Sequence, residues 1–172
     1  AVPAEQATPL LSAVPELAAQ ASGVHMSPCW TMMLGFSFEL NLPYDAAFVN
    51  SHRLNWIARD NSKPGHRPGE RWVAQAGPAW SEEHLRDEPE RVLEKMLKAF
   101  HEETGSHIQP MHAVVHRWAY AQAENPLDAD YLYSDEYGIG VCGDWFRAGL
   151  DGGGKVENAF LSALSLSKKA GS

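Results

Sequence analysis

The sequence predicts an α+β fold, with a mixed, mostly antiparallel sheet and flanking helices. Three observations carry that expectation. Short runs of β-forming residues lie between helix-period segments at unequal spacing, unlike the regular strand-helix alternation of a parallel sheet. One charged, helix-period segment near the middle of the chain has clear start and stop signals. Clusters of Gly and Pro separate these pieces, with no internal repeat and no low-complexity tract.

In chain order, residues 9–21 read as helical, with Leu10, Leu11, Val14, Leu17 and Ala18 on an approximate apolar face. Pro15 starts a new turn or a second short helix, and Gly23 ends it. Residues 29–40 are apolar and aromatic with little charge, which favours a buried strand. Shorter strands are expected at 46–50 and 55–58 around a polar turn at Ser51-His52-Arg53. Residues 60–70, with two clusters of Pro and Gly, form a loop, and 71–77 return as a strand. Ser81 is a candidate N-cap, followed by Glu82 and Glu83 in the first turn. Pro89 opens the main helix, in which Val92, Leu93, Met96, Leu97 and Phe100 share a face, and Gly105 closes it. Residues 111–123 read as a long strand with His112, Val114, His116, Trp118 and Tyr120 on one side. A polar stretch leads to a last strand at 139–142. The final helix starts near Lys155 or Val156 and is expected to turn Val156, Phe160, Leu164 and Ala163 inward.

The 172-residue length is that of one domain, and 44% hydrophobic with 21% charged residues is ordinary for a soluble globular chain. A formal net charge of −8 argues against nucleic-acid partners and anionic membrane surfaces. No apolar run approaches the roughly 18–20 residues that span a bilayer. No cationic segment followed by an apolar core opens the chain, so no signal peptide is expected. Cys29 and Cys142 lie in apolar runs and read as buried free thiols, which makes the reducing cytoplasm the expected compartment.

The chemistry concentrates near the C-terminus. Gly138-Ile139-Gly140-Val141-Cys142-Gly143-Asp144-Trp145 is followed by Gly152-Gly153-Gly154-Lys155-Val156-Glu157-Asn158. A strand that ends in Gly-Asp lets backbone approach a ligand, and Asp144 can accept hydrogen bonds from hydroxyls. A helix N-terminus offers free N–H groups and partial positive charge to a phosphate or an electron-rich carbonyl. The same residues also suit a glycine-rich turn between a core strand and a core helix. His116, Trp118 and Tyr120 can form an aromatic wall over a substrate, or a sheet face packed on the core. Arg59, Lys63 and Arg67 can meet an anionic, nucleotide-like substrate, or stay solvated. His112 and His116 lack a third ligand at a recognisable spacing, so no metal site is expected. Ser162 and Ser165 lack a nucleophile-elbow context, and no catalytic side chain is assigned.

Residues 141–145 and 155–162 resemble the Gly-Asp … Gly-Gly-Arg-Val-Glu-Gly-Ala-hydrophobic-Leu-Ser-Gly pattern of the renalase-like, flavin-containing amine oxidase family. Ala1-Val2-Pro3-Ala4-Glu5-Gln6-Ala7, the run from Leu54 to Pro64, and His116-Arg117-Trp118-Ala119-Tyr120-Ala121 are also similar to family signatures, in the same order. The resemblance covers the C-terminal half of such an enzyme. It implies a substrate-binding domain over residues 1–134, and over 135–172 the C-terminal segment of an FAD-binding domain. It implies FAD as cofactor, with Gly143, Asp144, Trp145, Gly154, Lys155 and Val156 at the flavin. Asp144 would meet the ribityl or pyrophosphate region, and the Val156 amide the N1/C2 carbonyl edge. Substrate contacts would come from Trp30, His116, Trp118 and Tyr120. Trp30 stands near the position where monoamine oxidases carry a lysine, which points to the renalase-like branch. Lys155 replaces the family arginine, Asn158 the usual glycine, and 147–151 look like a short insertion.

The activity implied is hydride transfer to flavin from a reduced amine-like or dihydronicotinamide-like small-molecule substrate, with oxygen as acceptor. No G-x-G-x-x-G triplet followed by a helix, the arrangement that seats a dinucleotide pyrophosphate, occurs in the sequence. Three expectations follow. The chain is a piece of a full-length oxidoreductase; or a separate polypeptide supplies the missing N-terminal half; or the segment folds alone as a non-catalytic ligand-binding or interaction domain. A cut half would bare apolar surface and favour homodimers.

Overall fold

The computed structural model describes residues 2–49, 53–147 and 154–171. The elements are α1 (Ala4–Leu10), α2 (Pro15–Ser22), β1 (Met26–Phe36), β2 (Ala46–Phe48), β3 (Leu54–Arg59), β4 (Glu70–Ala76), α3 (Pro78–Glu83), α4 (Pro89–Thr104), β5 (His112–Ala123), β6 (Leu132–Ser134), β7 (Ile139–Val141) and α5 (Val156–Ala170). The fold is α+β, with a mainly antiparallel sheet and flanking helices, as the sequence predicts. No helix among the described residues is long and apolar enough to cross a membrane. The chain divides into two compact units, Pro28–Trp118 and Ala1–Ser27 with Ala119–Ser172. The division falls inside β1 and β5.

The Pro28–Trp118 unit is built on a five-stranded sheet in the order β2-β3-β4-β1-β5. β1 and β4 pair antiparallel, with Met33 opposite Val73 and Gly35 opposite Arg71. Strand alternation sends Trp30, Met32, Leu34 and Phe36 to one face, where they are buried with Trp72 and Ala74 of β4. Helix α4 covers that face with Val92, Met96, Ala99 and Phe100, at i, i+4, i+7 and i+8. Each buried Val, Leu, Met or Phe side chain here contributes about 1.5–3 kcal/mol on burial. Pro89 sits at N1, where its missing N–H costs nothing, and Gly105 closes the helix at φ 67°.

Ser81 does not cap α3. That helix starts at Pro78 after Gly77, and Ser81 is buried inside it. Its Oγ instead accepts the Trp30 backbone N–H at 3.1 Å, satisfying a strand donor beyond the end of the β4 pairing. Arg59 is equally structural. Its guanidinium lies 5.1 Å over the Trp72 ring, donates to the Leu42 carbonyl, and pairs with Asp45 at 3.4 Å. Buried Glu70 accepts the Trp72 indole N–H at 2.8 Å and the Leu40 amide at 3.3 Å.

The other unit has its own core, in which α1 and α2 meet Met26, Ala123, Leu132, Val141, Trp145 and Phe146. The helical stretch expected over 9–21 is two helices, with Pro15 at N1 of the second as expected; the first begins at Ala4, ahead of the expected start at residue 9. The polar stretch before the last strand contains β6, which pairs antiparallel with β7, Leu132 opposite Val141. Strand β1 ends at Phe36 rather than at residue 40.

Helix α5 reverses the expectation for its faces. Val156 is 89% exposed, Phe160 65% and Leu164 40%, while Asn158 and Ser162 are fully buried. The polar side chains point inward because backbone groups there need partners. Asn158 Nδ2 donates to the carbonyls of Phe146, at 3.1 Å, and Arg147, at 2.8 Å. Ser162 Oγ accepts the Gly143 N–H at 3.2 Å. The predicted turn residues Ser51 and His52 lie outside the described residues.

Candidate functional site

Strand β7 delivers Cys142, Gly143 and Asp144 to one side of the glycine segment, and Gly154 and Lys155 lead into α5 on the other. The Gly154 N–H donates to the Asp144 carbonyl at 2.7 Å, which holds the Gly-Asp exit beside the helix start. Gly154 has φ 78°, and a Cβ there would stand 2.8 Å from Gln122 Cγ, so this position requires glycine on both counts. Gly152, Gly153 and residues 148–151 lie outside the described residues.

The six predicted cofactor positions separate into two groups. Gly143 and Trp145 are buried in the core of their unit. A Cβ on Gly143 would fall 2.6 Å from Trp145 Nε1, so the indole occupies the space that the glycine leaves. That indole donates to the Val2 carbonyl at 2.8 Å and lies 4.2 Å from the Phe146 ring. Asp144, Gly154, Lys155 and Val156 remain accessible to a ligand. Burial pushes the Asp144 carboxyl above its ordinary value, only partly offset by a hydrogen bond from its own backbone. The N-cap Lys155 makes no side-chain cap bond to the first turn of α5. A half-buried carboxyl on the segment that meets the start of α5 suits a ligand with hydroxyl donors and an electron-rich oxygen. The donor set thus fits the ribityl and carbonyl groups of a flavin at these four positions.

The predicted substrate residues also separate. Trp30 is buried in the core of the Pro28–Trp118 unit and donates through Nε1 to the His84 carbonyl at 3.1 Å. The Arg117 guanidinium lies 5.7 Å over its ring and donates to the Leu85 carbonyl at 2.6 Å. Its edge reaches a cavity of about 430 Å³ shared with His116 and Arg117. His116 and Trp118 are exposed and meet edge to face at 4.3 Å. Tyr120, two positions further along β5, is 39% exposed. The aromatic side of β5 is therefore an open surface and not a packed core face.

Sequence reasoning missed a second cavity, of about 560 Å³, on the same unit. It opens on the sheet face opposite α4, around Met33, Gly35, Val73 and Met111. The signal available was Gly35, a lone glycine inside an apolar strand, where a close approach or a gap is expected.

No family model matches the sequence. The fold is similar to that of a chain described as a "Putative protoporphyrinogen oxidase" from Exiguobacterium sp. 255-15, at TM-score 0.56 and 20% identity. That match covers 71% of this chain and 28% of the other. It is also similar to an oxidoreductase from Methanosarcina mazei, at TM-score 0.61 and 16% identity, covering 92% of this chain and 38% of that one. The chain spans well under half the length of either neighbour, and at these identities the likeness is one of fold.

Proposed function

We propose that this chain is the C-terminal portion of a renalase-like, FAD-dependent oxidoreductase. The observation that carries the reading is the 2.7 Å bond from the Gly154 N–H to the Asp144 carbonyl. It holds the Gly-Asp backbone beside the start of α5, in the order that the family resemblance implies. The fold likeness to two oxidoreductase chains supports the same class. FAD would supply the hydride acceptor, oxidising an amine-like or dihydronicotinamide-like substrate and passing the electrons to oxygen. The chain's own residues bind and orient. Asp144 accepts ribityl hydroxyls, and the amides at Val156 lend positive potential to the flavin's carbonyl edge. His116, Trp118 and Tyr120 present an aromatic surface to the substrate. The dinucleotide-binding half comes from further polypeptide, and the exposed Val156, Phe160 and Leu164 stripe gives it an apolar surface to pack on.

The test is the coding sequence upstream of Ala1, expressed together with this chain. A G-x-G-x-x-G turn and flavin absorbance near about 450 nm in the purified protein are expected, with lower occupancy in Asp144→Ala. Absence of retained flavin in that longer polypeptide would sink the proposal. A second reading, a free-standing ligand-binding domain, is favoured by one observation: each unit has a hydrophobic core of its own. It predicts cooperative unfolding of the 172-residue chain without flavin, and a molten chain would remove it.

A further inference from the structure

We infer that the cavity around Gly35 binds a flat, uncharged aromatic molecule. The geometry starts with the β1–β4 register. Met33 faces Val73 and Gly35 faces Arg71, and alternation places all four on the sheet side opposite α4. On the far side of Gly35, the Met111 N–H donates to the Gly35 carbonyl at 2.9 Å, bringing β5 and His112 alongside. Gly35 thus forms the floor of a trough walled by Met33, Val73, Met111 and His112.

The backbone does not require glycine here. Gly35 is outside the left-handed region, and a Cβ on it would meet only His112 Cβ, at an ordinary 3.6 Å. What its absent side chain produces is the space. About 560 Å³ lies within the range of small-molecule sites, roughly 300–1,000 Å³.

The walls set the chemistry. Met33 is 37% exposed and Met111 74% exposed, and their thioethers are adaptable partners for aromatic rings. Of the polar groups at the rim, Arg71 and Asp60 are already engaged, and His112 offers an exposed aromatic ring. Arg71 donates to the carbonyls of Arg67 and Pro68, and its Nε lies 3.7 Å from Asp60. Asp60 is also bonded by His66 at 3.0 Å and Lys63 at 3.1 Å. A charged ligand would have to break this network to pair with Arg71 or Asp60, whereas a neutral ring needs only the pleated floor, the two methionines and the face of the His112 ring.

The full chain carrying 13C-methyl methionine, titrated with indole, tests the assignment. Saturable shifts are expected at the Met33 and Met111 methyls, with none at Met26, Met32 and Met96, which are buried elsewhere. Gly35→Val fills the trough and should weaken binding at least tenfold while leaving the three buried methyl signals in place. Met111→Ala, at a 74% exposed position, should weaken it several-fold. Three results would overturn the inference. These are no saturable shift at Met33 and Met111, undiminished indole binding in both variants, and tighter binding of indole-3-acetate than of indole. The site lies within Pro28–Trp118, so its failure would leave the flavin reading untouched.

Discussion

Gly143→Ala is the substitution that separates packing from ligand approach in the Gly-Asp motif. A Cβ at this position would stand 2.6 Å from Trp145 Nε1 and 2.8 Å from its Cδ1. Ordinary contact begins near 3.4 Å, so the ring must retreat by about 0.8 Å. It has little freedom to do so. The indole is fully buried, lies against Phe146, and donates to the Val2 carbonyl at 2.8 Å. Overpacking of a dense core costs about 1–3 kcal/mol. Weakening this partly buried hydrogen bond adds about 0.5–1.5 kcal/mol. The lower entropy of the unfolded alanine chain returns about 0.4–1 kcal/mol. A net loss of about 0.5–4 kcal/mol is expected, in the absence of any flavin.

Urea unfolding followed by far-ultraviolet circular dichroism measures this loss as a fall in midpoint at constant slope. A Trp145→Phe background removes the atom nearest the new methyl. The cost of Gly143→Ala should there drop by at least about 1 kcal/mol, a coupling that neighbours in contact show. A loss under about 0.5 kcal/mol, or costs that simply add, would refute the reasoning and return Gly143 to a role in ligand approach.

Two further outcomes follow from the same segment. The Asp144 carboxyl is raised by burial, so the folded state resists its ionisation. That cost is absent below the ordinary value near 3.8 and complete above the raised folded value. Asp144→Asn should therefore stabilise the chain at pH 7, less so towards pH 4, and lower flavin occupancy in the longer polypeptide; a larger gain at acid pH counts against it. Phe160→Gln, at a 65% exposed position, should shift urea stability by less than about 0.5 kcal/mol. A loss above about 2 kcal/mol would mean that the ring is buried after all.

Much of the fold was legible because its signals are local. Pro89 and Gly105 bound α4 by steric rules that act on neighbouring residues, and the apolar period between them needs no distant partner. The strand runs were legible from apolar, β-forming composition and, in β5, from alternation; β7 and the start of α5 were legible from the glycines that flank them. The edges were less so. Helix α3 begins at Pro78, just after Gly77, and Ser81 is drawn inward to serve Trp30, a partner 51 positions away. The short β6 was missed because three residues carry too little pattern to stand out from a polar stretch.

The candidate site was legible in outline. Its residue types located the Gly-Asp exit and the helix start, and the structure joins them through Gly154 and Asp144. Which of those residues remain free for a ligand was not legible. Gly143 and Trp145 pack on each other, and Trp30 lies under Arg117 in a core. Asn158, a departure from the family pattern, proves to tie α5 to the Phe146 and Arg147 carbonyls.

By itself, then, the sequence determined the fold class, the main helix, the principal strands and the place where a ligand-closing segment lies. Those depend on periodicity, steric stops and glycine placement, which act over a few residues. Tertiary structure alone decided which face of α5 is buried, which half of the Gly-Asp motif is structural, and that Gly35 opens a cavity. The physical reason is the same in each case. A buried backbone group must find a donor or acceptor, and an indole must find space, wherever in the chain these occur.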